Sequence, residues 1–423
     1  MRIEVSAASD VGRRREKNED SFVSDPSAGI YIVCDGMGGH ASGEVASATA
    51  ANSLHGRLGE LRGTLTSLLT GELEQRQEAA ELVRSAVAGA NEDVRAVAAA
   101  DPAKRGMGTT LTMVFVSGNR ALVAHVGDSR LYLCRGGQTH LLTTDHTILT
   151  EMIRAGRVRL EEAADAKHLN ALTRAIGVYA AVDVDVTEVD LLPDDVLLLC
   201  SDGLHNYFED FDLATFLDHS EIAGAASDLV EFANKMGGHD NITALTLLAH
   251  GDGETEQTQR VRLTLDTLRD IPLFHYLTFG ELLKVITVCR PMFVPKDFLV
   301  VEEGTRGDEL YIVVDGALRV HRSDTALAEI SAGQHFGEMS LVDNRPRSAS
   351  VTSNTQCHLI RVDRDDFYEV LRQDSVLAVK LLWNFIQTLS SMVRMQNDDI
   401  NPIANATRGD ELAHPYNRED EES

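Results

Sequence analysis

The sequence predicts an α/β protein of two domains, a mixed α/β domain followed by a smaller β-roll with flanking helices. In the first part, apolar strand-like runs such as 196–200 alternate with long Ala-rich helical stretches such as 77–100. The apolar pattern stops in the polar, turn-rich stretch 251–259, and short β runs punctuated by glycine follow it. We therefore expect an α/β domain over 1–250, a linker over 251–270 and a second domain over 271–396.

The composition is that of an acidic, globular protein. Its 423 residues exceed what one ordinary core holds, and 43% of them are hydrophobic. A formal net charge of −27 disfavours nucleic acid and anionic membrane surfaces as partners and favours divalent cations. No run approaches the ~20 apolar residues of a membrane span and no export signal is visible, so a cytoplasmic protein is expected. The acidic, aperiodic residues 397–423 predict a disordered tail.

Acidic residues stand at the ends of four strand-like apolar runs. These residues are Asp35, Asp128, Asp202 and Asp240. Strands of one sheet place their ends side by side, so these carboxylates can converge, and their mutual repulsion then requires a cation. Oxygen ligands suit Mg²⁺ or Mn²⁺ rather than zinc, and Gly36 allows a sharp turn that aims its carbonyl at the same cation. A single Asp-Gly pair is more typical of an ordinary turn, so the hypothesis depends on the whole set.

Six short motifs occur in order between residues 5 and 249. They are Asp10-Val11-Gly12 with Arg15 and Asn18-Glu19-Asp20; Asp35-Gly36-Met37-Gly38-Gly39-His40; Gly108-Thr109-Thr110; Gly127-Asp128-Ser129-Arg130; Ser201-Asp202-Gly203-Leu204; and Asp240-Asn241-Ile242-Thr243. An ordered set of this kind is highly specific, whereas one motif alone is weak. In this set the chain resembles the type 2C metal-dependent protein phosphatases in their bacterial form. The resemblance implies a four-layer α-β-β-α sandwich with a dinuclear metal centre in a cleft at one edge.

The resemblance also implies a role for each acid. Two Mn²⁺ or Mg²⁺ ions would be held by Asp35 between them, by Glu19 and the Gly36 carbonyl on one side, and by Asp202 and Asp240 on the other. Asp20 would lie behind the ligands and hold metal-bound waters. Asp128, together with Asp202, resembles a weaker third-metal position. Arg15 matches the arginine that clamps the substrate phosphate with two parallel donors.

The implied reaction is hydrolysis of phosphoserine and phosphothreonine in phosphoproteins. A hydroxide that bridges the two cations would attack the phosphorus directly, without a covalent enzyme intermediate. Met37 stands where animal members of the family often carry a histidine proposed as the general acid, so the sequence does not identify the proton donor. A flap beside the cleft is implied for residues 145–177. The physiological substrates stay open.

Two other interpretations of the first domain compete with this one. The stretch 36–41 fits the dinucleotide fingerprint GxGxxA, but residues 49–61 continue as helix where that fold needs a second strand ending in an acid. The other alternative is a non-catalytic phosphoprotein-binding or scaffold protein with a nucleotide sensor. The intact acids Glu19, Asp35, Asp202 and Asp240 argue against it.

The second domain contains Phe336-Gly337-Glu338-Met339-Ser340-Leu341 followed by Arg345-Pro346-Arg347-Ser348-Ala349-Ser350-Val351. These segments resemble the phosphate-binding cassette shared by catabolite activator protein and the regulatory subunits of cyclic-nucleotide-dependent kinases. Backbone N–H groups near Gly337 and the guanidinium of Arg347 would hold the phosphate, and Glu338 would accept from the ribose 2′-hydroxyl. The alternative is an ordinary surface ion pair between Glu338 and Arg347.

The cassette leaves the identity of the ligand open between cAMP and cGMP. Ser348, after the arginine, occurs in binders of both kinds, and we favour cAMP. A catalytic module joined to such a sensor predicts that the nucleotide changes phosphatase activity in signal transduction, in either direction. The helices near Trp383 either pair two chains or pack against their own β-roll, so the oligomeric state is open.

Overall fold

The computed structural model describes residues 1–38, 42–155, 157–158, 169–208, 213–217, 222–251, 256–323, 325–343 and 345–400. The chain separates into two compact units, Met1–Gln259 and Arg260–Ser423. The predicted disordered tail lies outside the described residues from position 401 onward. Among the helices of the described part, none is long and apolar enough to cross a membrane.

Two antiparallel sheets form the framework of the first unit. The first sheet consists of β1 (Arg2–Asp10), β7 (Arg130–Arg135), β8 (Gln138–Leu141), β10 (Val196–Cys200) and β11 (Ile242–His250), in the spatial order β1-β11-β10-β7-β8. The second consists of β2 (Asp20–Asp25), β3 (Ile30–Met37), β4 (Gly108–Thr109), β5 (Leu111–Ser117), β6 (Arg120–Val126) and β9 (Asp185–Asp190), in the order β2-β3-β5-β6-β9 with β4 beside β3. Every residue of β10 is buried, as a short, wholly apolar strand predicts.

Helices cover the outer face of each sheet. The second sheet packs against α1 (Ser42–Leu69) and α2 (Leu73–Ala100), and the first against α4 (Asp202–His205), α5 (Leu213–Phe216) and α6 (Ala225–Lys235). Side chains alternate along a strand, so each sheet also has a face turned away from its helices. That face carries Tyr31 and Val33 on β3 and Leu197 and Leu199 on β10, and all four are buried. The predicted α-β-β-α sandwich is therefore confirmed. A further helix, α3 (Ile148–Arg154), lies in the segment predicted as a flap.

The second unit is a β-roll with helices before and after it, as predicted. One sheet has β12 (Cys289–Val294), β14 (Glu309–Asp315), β17 (His335–Phe336) and β19 (Cys357–Asp363); the other has β13 (Leu299–Val301), β15 (Ala317–Arg322), β16 (Thr325–Ser331) and β18 (Ser350–Ser353). The helices are α7 (Glu256–Asp270), α8 (Phe279–Ile286), the single turn α9 (Met339–Val342), α10 (Arg364–Gln373) and α11 (Ser375–Ile400). Most of the stretch predicted as a linker is thus α7. The domain bounds stay a prediction.

A buried ion pair joins β7 to the turn before β10. The guanidinium of Arg135 donates to both carboxylate oxygens of Asp195, at 2.8 and 2.6 Å, and the same carboxylate accepts from the backbone N–H of Leu192 at 2.7 Å. The side chains of Arg135 and Asp195 are only 11% and 1% exposed. Removing one partner of such a pair leaves a buried charge without compensation, which is far more costly than losing a surface pair.

We expect Asp195→Ala to lower the free energy of unfolding of the first unit by about 3–5 kcal/mol, because it leaves the Arg135 guanidinium buried beside an apolar side chain. Urea denaturation of the full chain, followed by circular dichroism, measures this change. Glu231→Ala, which removes the largely exposed pair with Lys235, is the matched control and should leave the transition almost unmoved. Equal effects of the two substitutions would contradict the prediction.

Candidate active site

The acids predicted as ligands are brought together at one end of the neighbouring strands. Asp20, at the start of β2, and Asp35, near the end of β3, are register partners across the two strands. Asp202 begins α4 two residues after the end of β10, and Asp240 lies shortly before β11, which pairs with β10. The antiparallel order of the strands therefore turns positions far apart in sequence into neighbours in space.

Burial and mutual repulsion dominate the electrostatics of these acids. Burial raises the pKa of Asp35 well above its ordinary value, and the negative charges of Asp20, Asp202, Asp128 and Asp240 raise it further. Burial and the charge of Asp240 raise the pKa of Asp202, although a hydrogen bond with Asp35 partly opposes this rise. Burial, with the charge of Asp202, raises the pKa of Asp128 to about 7. The ionised forms are thus unfavourable unless positive charge is supplied.

Asp20 lies behind this group in a site made by two hydroxyls. Its Oδ2 accepts from Ser201 Oγ and Thr243 Oγ1, both at 2.7 Å, which oppose the burial that raises its pKa to about 7. Its Oδ1 is buried and has no hydrogen-bond partner among the described residues. A buried acceptor of this kind requires a donor such as an ordered water. Ser201 and Thr243 belong to two of the six motifs, but no role was predicted for either residue.

Glycines allow Glu19, β3 and the beginning of α1 to approach one another closely. A Cβ added at Gly36 would lie 2.3 Å from the Gly43 carbonyl oxygen and 2.5 Å from that of Glu19. A Cβ at Gly43 would lie 2.8 Å from the carboxylate carbon of Glu19. The Glu19 carboxylate therefore lies against Gly43 at the beginning of α1. Gly43 was missed, because nothing in its local sequence shows that the carboxylate of Glu19, just before β2, approaches it.

Asn241 holds the loop that carries Arg15 and Glu19. Its amide Nδ2 donates to the carbonyls of Val11, at 3.0 Å, and Lys17, at 2.8 Å, and its Oδ1 accepts from the backbone N–H of Glu19 at 2.8 Å. Three of the bonding positions of the amide are thus used on one loop. Sequence reasoning placed Asn241 in a motif without this function, since its bonds depend on how β11 lies beside the loop.

Arg15 and Asp240 form an ion pair at the mouth of this group. Arg15 Nη2 donates to Asp240 Oδ2 at 2.6 Å, and this hydrogen bond raises the pKa of the guanidinium, with Glu19 and Asp202 adding to the effect. Half of the Arg15 side chain is exposed. The pairing was not predicted, because the sequence assigned Arg15 to the substrate and Asp240 to a cation.

Asp128 lies in the turn between β6 and β7, close enough to Asp202 for their charges to interact. Its carbonyl accepts from His205 Nε2 at 2.9 Å, and the preceding Gly127 N–H donates to His146 Nδ1 at 3.1 Å. Both histidines are buried. His40 lies outside the described residues, together with positions 39 and 41. Residue 156 and residues 159–168 of the predicted flap also lie outside them.

The donor set fits a hard divalent cation on chemical grounds. Within the described residues, no group of three or more His, Cys, Asp or Glu side chains is placed so that it could hold a metal ion. The clustered donors are nevertheless carboxylate and carbonyl oxygens, which Mg²⁺ and Mn²⁺ prefer. Crowded carboxylates with raised pKa values and the unpartnered Asp20 Oδ1 both require positive charge and ordered water there.

The cassette of the second unit is built around a buried arginine. Arg347 is 8% exposed, and it donates to Ser340 Oγ and, at 3.0 Å, to both the carbonyl and the Oε2 of Glu309. Gly337 has a φ of +84°, and a Cβ there would lie 2.7 Å from the Glu309 carbonyl oxygen. The alternative of a surface ion pair between Glu338 and Arg347 is therefore wrong.

The other two predicted ligand residues, Glu338 and Ser348, differ in their exposure. Glu338 is half-buried immediately before α9 and interacts electrostatically with His335, where it opposes the burial that lowers the pKa of that imidazole. Ser348 is exposed, and its carbonyl accepts from Arg322 Nη2 at 2.8 Å. Gly337 and Glu338 thus directly precede α9, and Arg347 donates to Ser340 within it. Glu309 was missed, since its position on β14 gives no local sign that it pairs with Arg347.

Comparison with known proteins agrees with this division. The protein phosphatase 2C family model matches residues 8–242, and the cyclic nucleotide-binding domain model matches residues 291–374. A serine/threonine phosphatase stp of Listeria monocytogenes is 35% identical over 257 residues, covering 60% of this chain and 96% of that protein. Protein phosphatase PhpP of Streptococcus pneumoniae is 34% identical over 60% of this chain and all of its own length.

Solved structures show the same similarity. The Mycobacterium tuberculosis serine/threonine phosphatase PstP/Ppp superposes with a TM-score of 0.52 at 33% identity, covering 59% of this chain and 99% of its own. A catalytic domain of PstP in complex with two manganese ions gives a TM-score of 0.51 at 34% identity over the same shares. The phosphatase model alone spans more than half of the chain. The chain therefore belongs to the protein phosphatase 2C family of serine/threonine phosphatases, and a cyclic nucleotide-binding domain follows its phosphatase domain.

Proposed function

We propose that this chain removes phosphate from phosphoserine and phosphothreonine in proteins with the help of Mn²⁺ or Mg²⁺. The observation that carries the proposal is the convergence of buried carboxylates at Asp35, Asp128 and Asp202, where the charge of Asp202 raises the pKa of both Asp35 and Asp128. The related PstP domain that contains two manganese ions supports the same assignment. We also propose a phosphatase domain over 1–250, a linker over 251–270 and a nucleotide domain over 271–396.

The residues that would hold the cations are those at the ends of the strands. Two cations would be bound by Glu19, Asp35, the Gly36 carbonyl, Asp202 and Asp240, and a third by Asp128 with Asp202. When bound, divalent cations lower the pKa of water to make a nucleophile and neutralise charge on the phosphoryl oxygens. The protein adds fixed positions for these ligands, because β2, β3, β10 and β11 form a rigid framework.

The other residues of the cleft position substrate and water. Arg15 is half-exposed beside Asp240, so its guanidinium can offer two parallel N–H groups to a phosphate that enters the cleft. Asp20, held through Oδ2 by two hydroxyls, keeps Oδ1 available to accept from a water and orient it. Asn241 keeps Arg15 and Glu19 in register with β11.

Asp35→Asn tests the catalytic proposal. We expect the Mn²⁺-dependent hydrolysis of a phosphothreonine peptide to fall by about three orders of magnitude, roughly 4 kcal/mol in the barrier, because the amide cannot hold two cations. The measurement is kcat/KM in Mn²⁺, with phosphate release as the readout.

Asp25→Asn is the matched control for this experiment. Asp25 lies at the opposite end of β2 from Asp20 and pairs with His55, so its replacement should leave kcat/KM unchanged. An Asp35→Asn enzyme that keeps more than a tenth of the wild-type kcat/KM would exclude the proposed metal centre.

We further propose that the second domain binds a cyclic nucleotide, with cAMP favoured over cGMP, and that binding changes phosphatase activity. The Arg347 guanidinium, Glu338 and the N–H groups near Gly337 would form the site, with Ser348 beside it. Glu309 already neutralises Arg347, so the bound phosphate must share the guanidinium with this carboxylate. The affinity for nucleotide therefore depends on the competition between Glu309 and the ligand.

Arg347→Lys is expected to weaken cAMP binding by about tenfold or more, because an ammonium cannot reproduce the planar set of donors. Isothermal titration of the full chain with cAMP and cGMP measures the effect. Arg345→Lys is the matched control, since that side chain is 88% exposed in the same segment, and its affinity should equal that of wild type. Equal affinities for Arg347→Lys and wild type would refute the assignment.

Regulation is tested on the same proteins by phosphatase assays with and without nucleotide. A coupling of ~1–3 kcal/mol predicts a change of about 5- to 150-fold in substrate affinity or rate, absent in Arg347→Lys. Unchanged hydrolysis on addition of either nucleotide would remove the regulatory proposal and leave the catalytic one intact.

A further inference from the structure

The turn that carries Asp128 is where the chain passes from one sheet of the sandwich to the other. It joins β6, in the second sheet, to β7, in the first. Gly127 has a φ of +109°, and a Cβ there would lie 2.7 Å from the Thr110 side chain, so the backbone conformation requires glycine. The position of the Asp128 carboxylate therefore depends on what holds this backbone.

A buried histidine holds the turn on the side of the second sheet. The ring of His146 accepts from the Gly127 N–H at 3.1 Å, and the His146 N–H donates to the Gly127 carbonyl at 2.7 Å. Its other ring nitrogen, Nε2, lies 3.3 Å from Asp185 Oδ2 on β9. Arg174 Nη1 lies 3.2 Å from the same nitrogen and donates to Asp185 Oδ1 at 2.8 Å, so each ring nitrogen has a polar neighbour.

A second buried histidine holds the turn on the side of the first sheet. His205 Nε2 lies 2.9 Å from the Asp128 carbonyl oxygen, and since a carbonyl only accepts, this nitrogen carries the hydrogen. His205 is the last residue of α4, and Asp202 is the first. One turn of helix therefore carries a proposed metal ligand and the donor that fixes the backbone of another.

We propose that His205 and His146 are positioning residues that fix the Asp128 turn from both sides, so that Asp128 and Asp202 can share a divalent cation. This inference rests on the proposed function. The two carboxylates repel each other, so a free turn would move Asp128 away from Asp202. Hydrogen bonds behind metal ligands hold the ligands in place, and their loss typically lowers metal affinity about 10- to 100-fold.

The pair of substitutions H205F and H205Q separates positioning from simple packing. Phenylalanine fills the space of the imidazole but leaves the Asp128 carbonyl without a donor. Glutamine keeps an N–H donor near the position of Nε2. A residue that only fills the core would tolerate phenylalanine at least as well as glutamine, whereas a positioning residue requires the donor.

The experiment is a titration of the metal-free full chain with Mn²⁺, followed by calorimetry and by the electron paramagnetic resonance of free Mn²⁺. Asp128→Asn identifies the binding step that needs Asp128. We expect H205F to lower the Mn²⁺ affinity of that step tenfold or more. The affinities of the tighter binding steps, which do not need Asp128, should fall by less than about twofold. H205Q should stay within about threefold of wild type at every step.

The control is H250F, because His250 pairs with Glu4 at the far end of β11 and should influence no step. If melting of the metal-free protein shows that H205F is unfolded, the pair H146F and H146N gives the same comparison for the bond to Gly127. In that pair, asparagine should retain the acceptor and phenylalanine should lose it.

Three results would overturn the inference. The first is that H205F, or H146F where that variant replaces it, binds Mn²⁺ at the Asp128-dependent step as tightly as wild type. The second is that the substitution weakens every binding step equally. The third is that Asp128→Asn loses no binding step. Each of them leaves the proposed function standing if wild type hydrolyses the phosphothreonine peptide in Mn²⁺. Failure of the wild-type protein to do so would instead defeat the proposed function itself.

Discussion

Repulsion between buried carboxylates is the constraint on which the first unit depends. The two sheets place Asp35, Asp20 and Asp202 close together at the ends of their strands, in surroundings that disfavour each negative charge. Nearby positive charge comes from Arg15, which pairs with Asp240 at the mouth of the cleft. The folded chain therefore has a strong electrostatic preference for cations at this point, and the proposed catalysis uses the same preference.

The residues around the acids are arranged to resist that repulsion. Asn241 ties the loop of Glu19 to β11, and Ser201 and Thr243 hold one oxygen of Asp20. Glycines at positions 36 and 43 remove side chains where backbones and the Glu19 carboxylate meet. Each of these contacts joins elements from different parts of the chain. The rigidity of the site is thus a property of the sandwich and not of any one loop.

Local signals in the sequence predicted the strands, the helices and the clustered acids, whereas the four layers were predicted from the resemblance to the phosphatase family. Apolar runs such as β10 are followed within two residues by an acid, and the motifs keep the order seen in the family. The partners of Asn241, the pair of Arg15 with Asp240 and the pair of Arg347 with Glu309 could not be predicted. They depend on strand register and on side chains that meet from distant segments, and such contacts leave no periodic pattern in a single sequence.

The central claim is that these acids bind a pair of hard cations, and anomalous diffraction from crystals grown in Mn²⁺ tests it most directly. We predict two strong manganese peaks within about 2.0–2.6 Å of the Asp35 oxygens, one beside Glu19 and the Gly36 carbonyl and the other beside Asp202 and Asp240. Both peaks should vanish in Asp35→Asn crystals. A wild-type crystal with no anomalous density in this cleft at millimolar Mn²⁺ would contradict the claim.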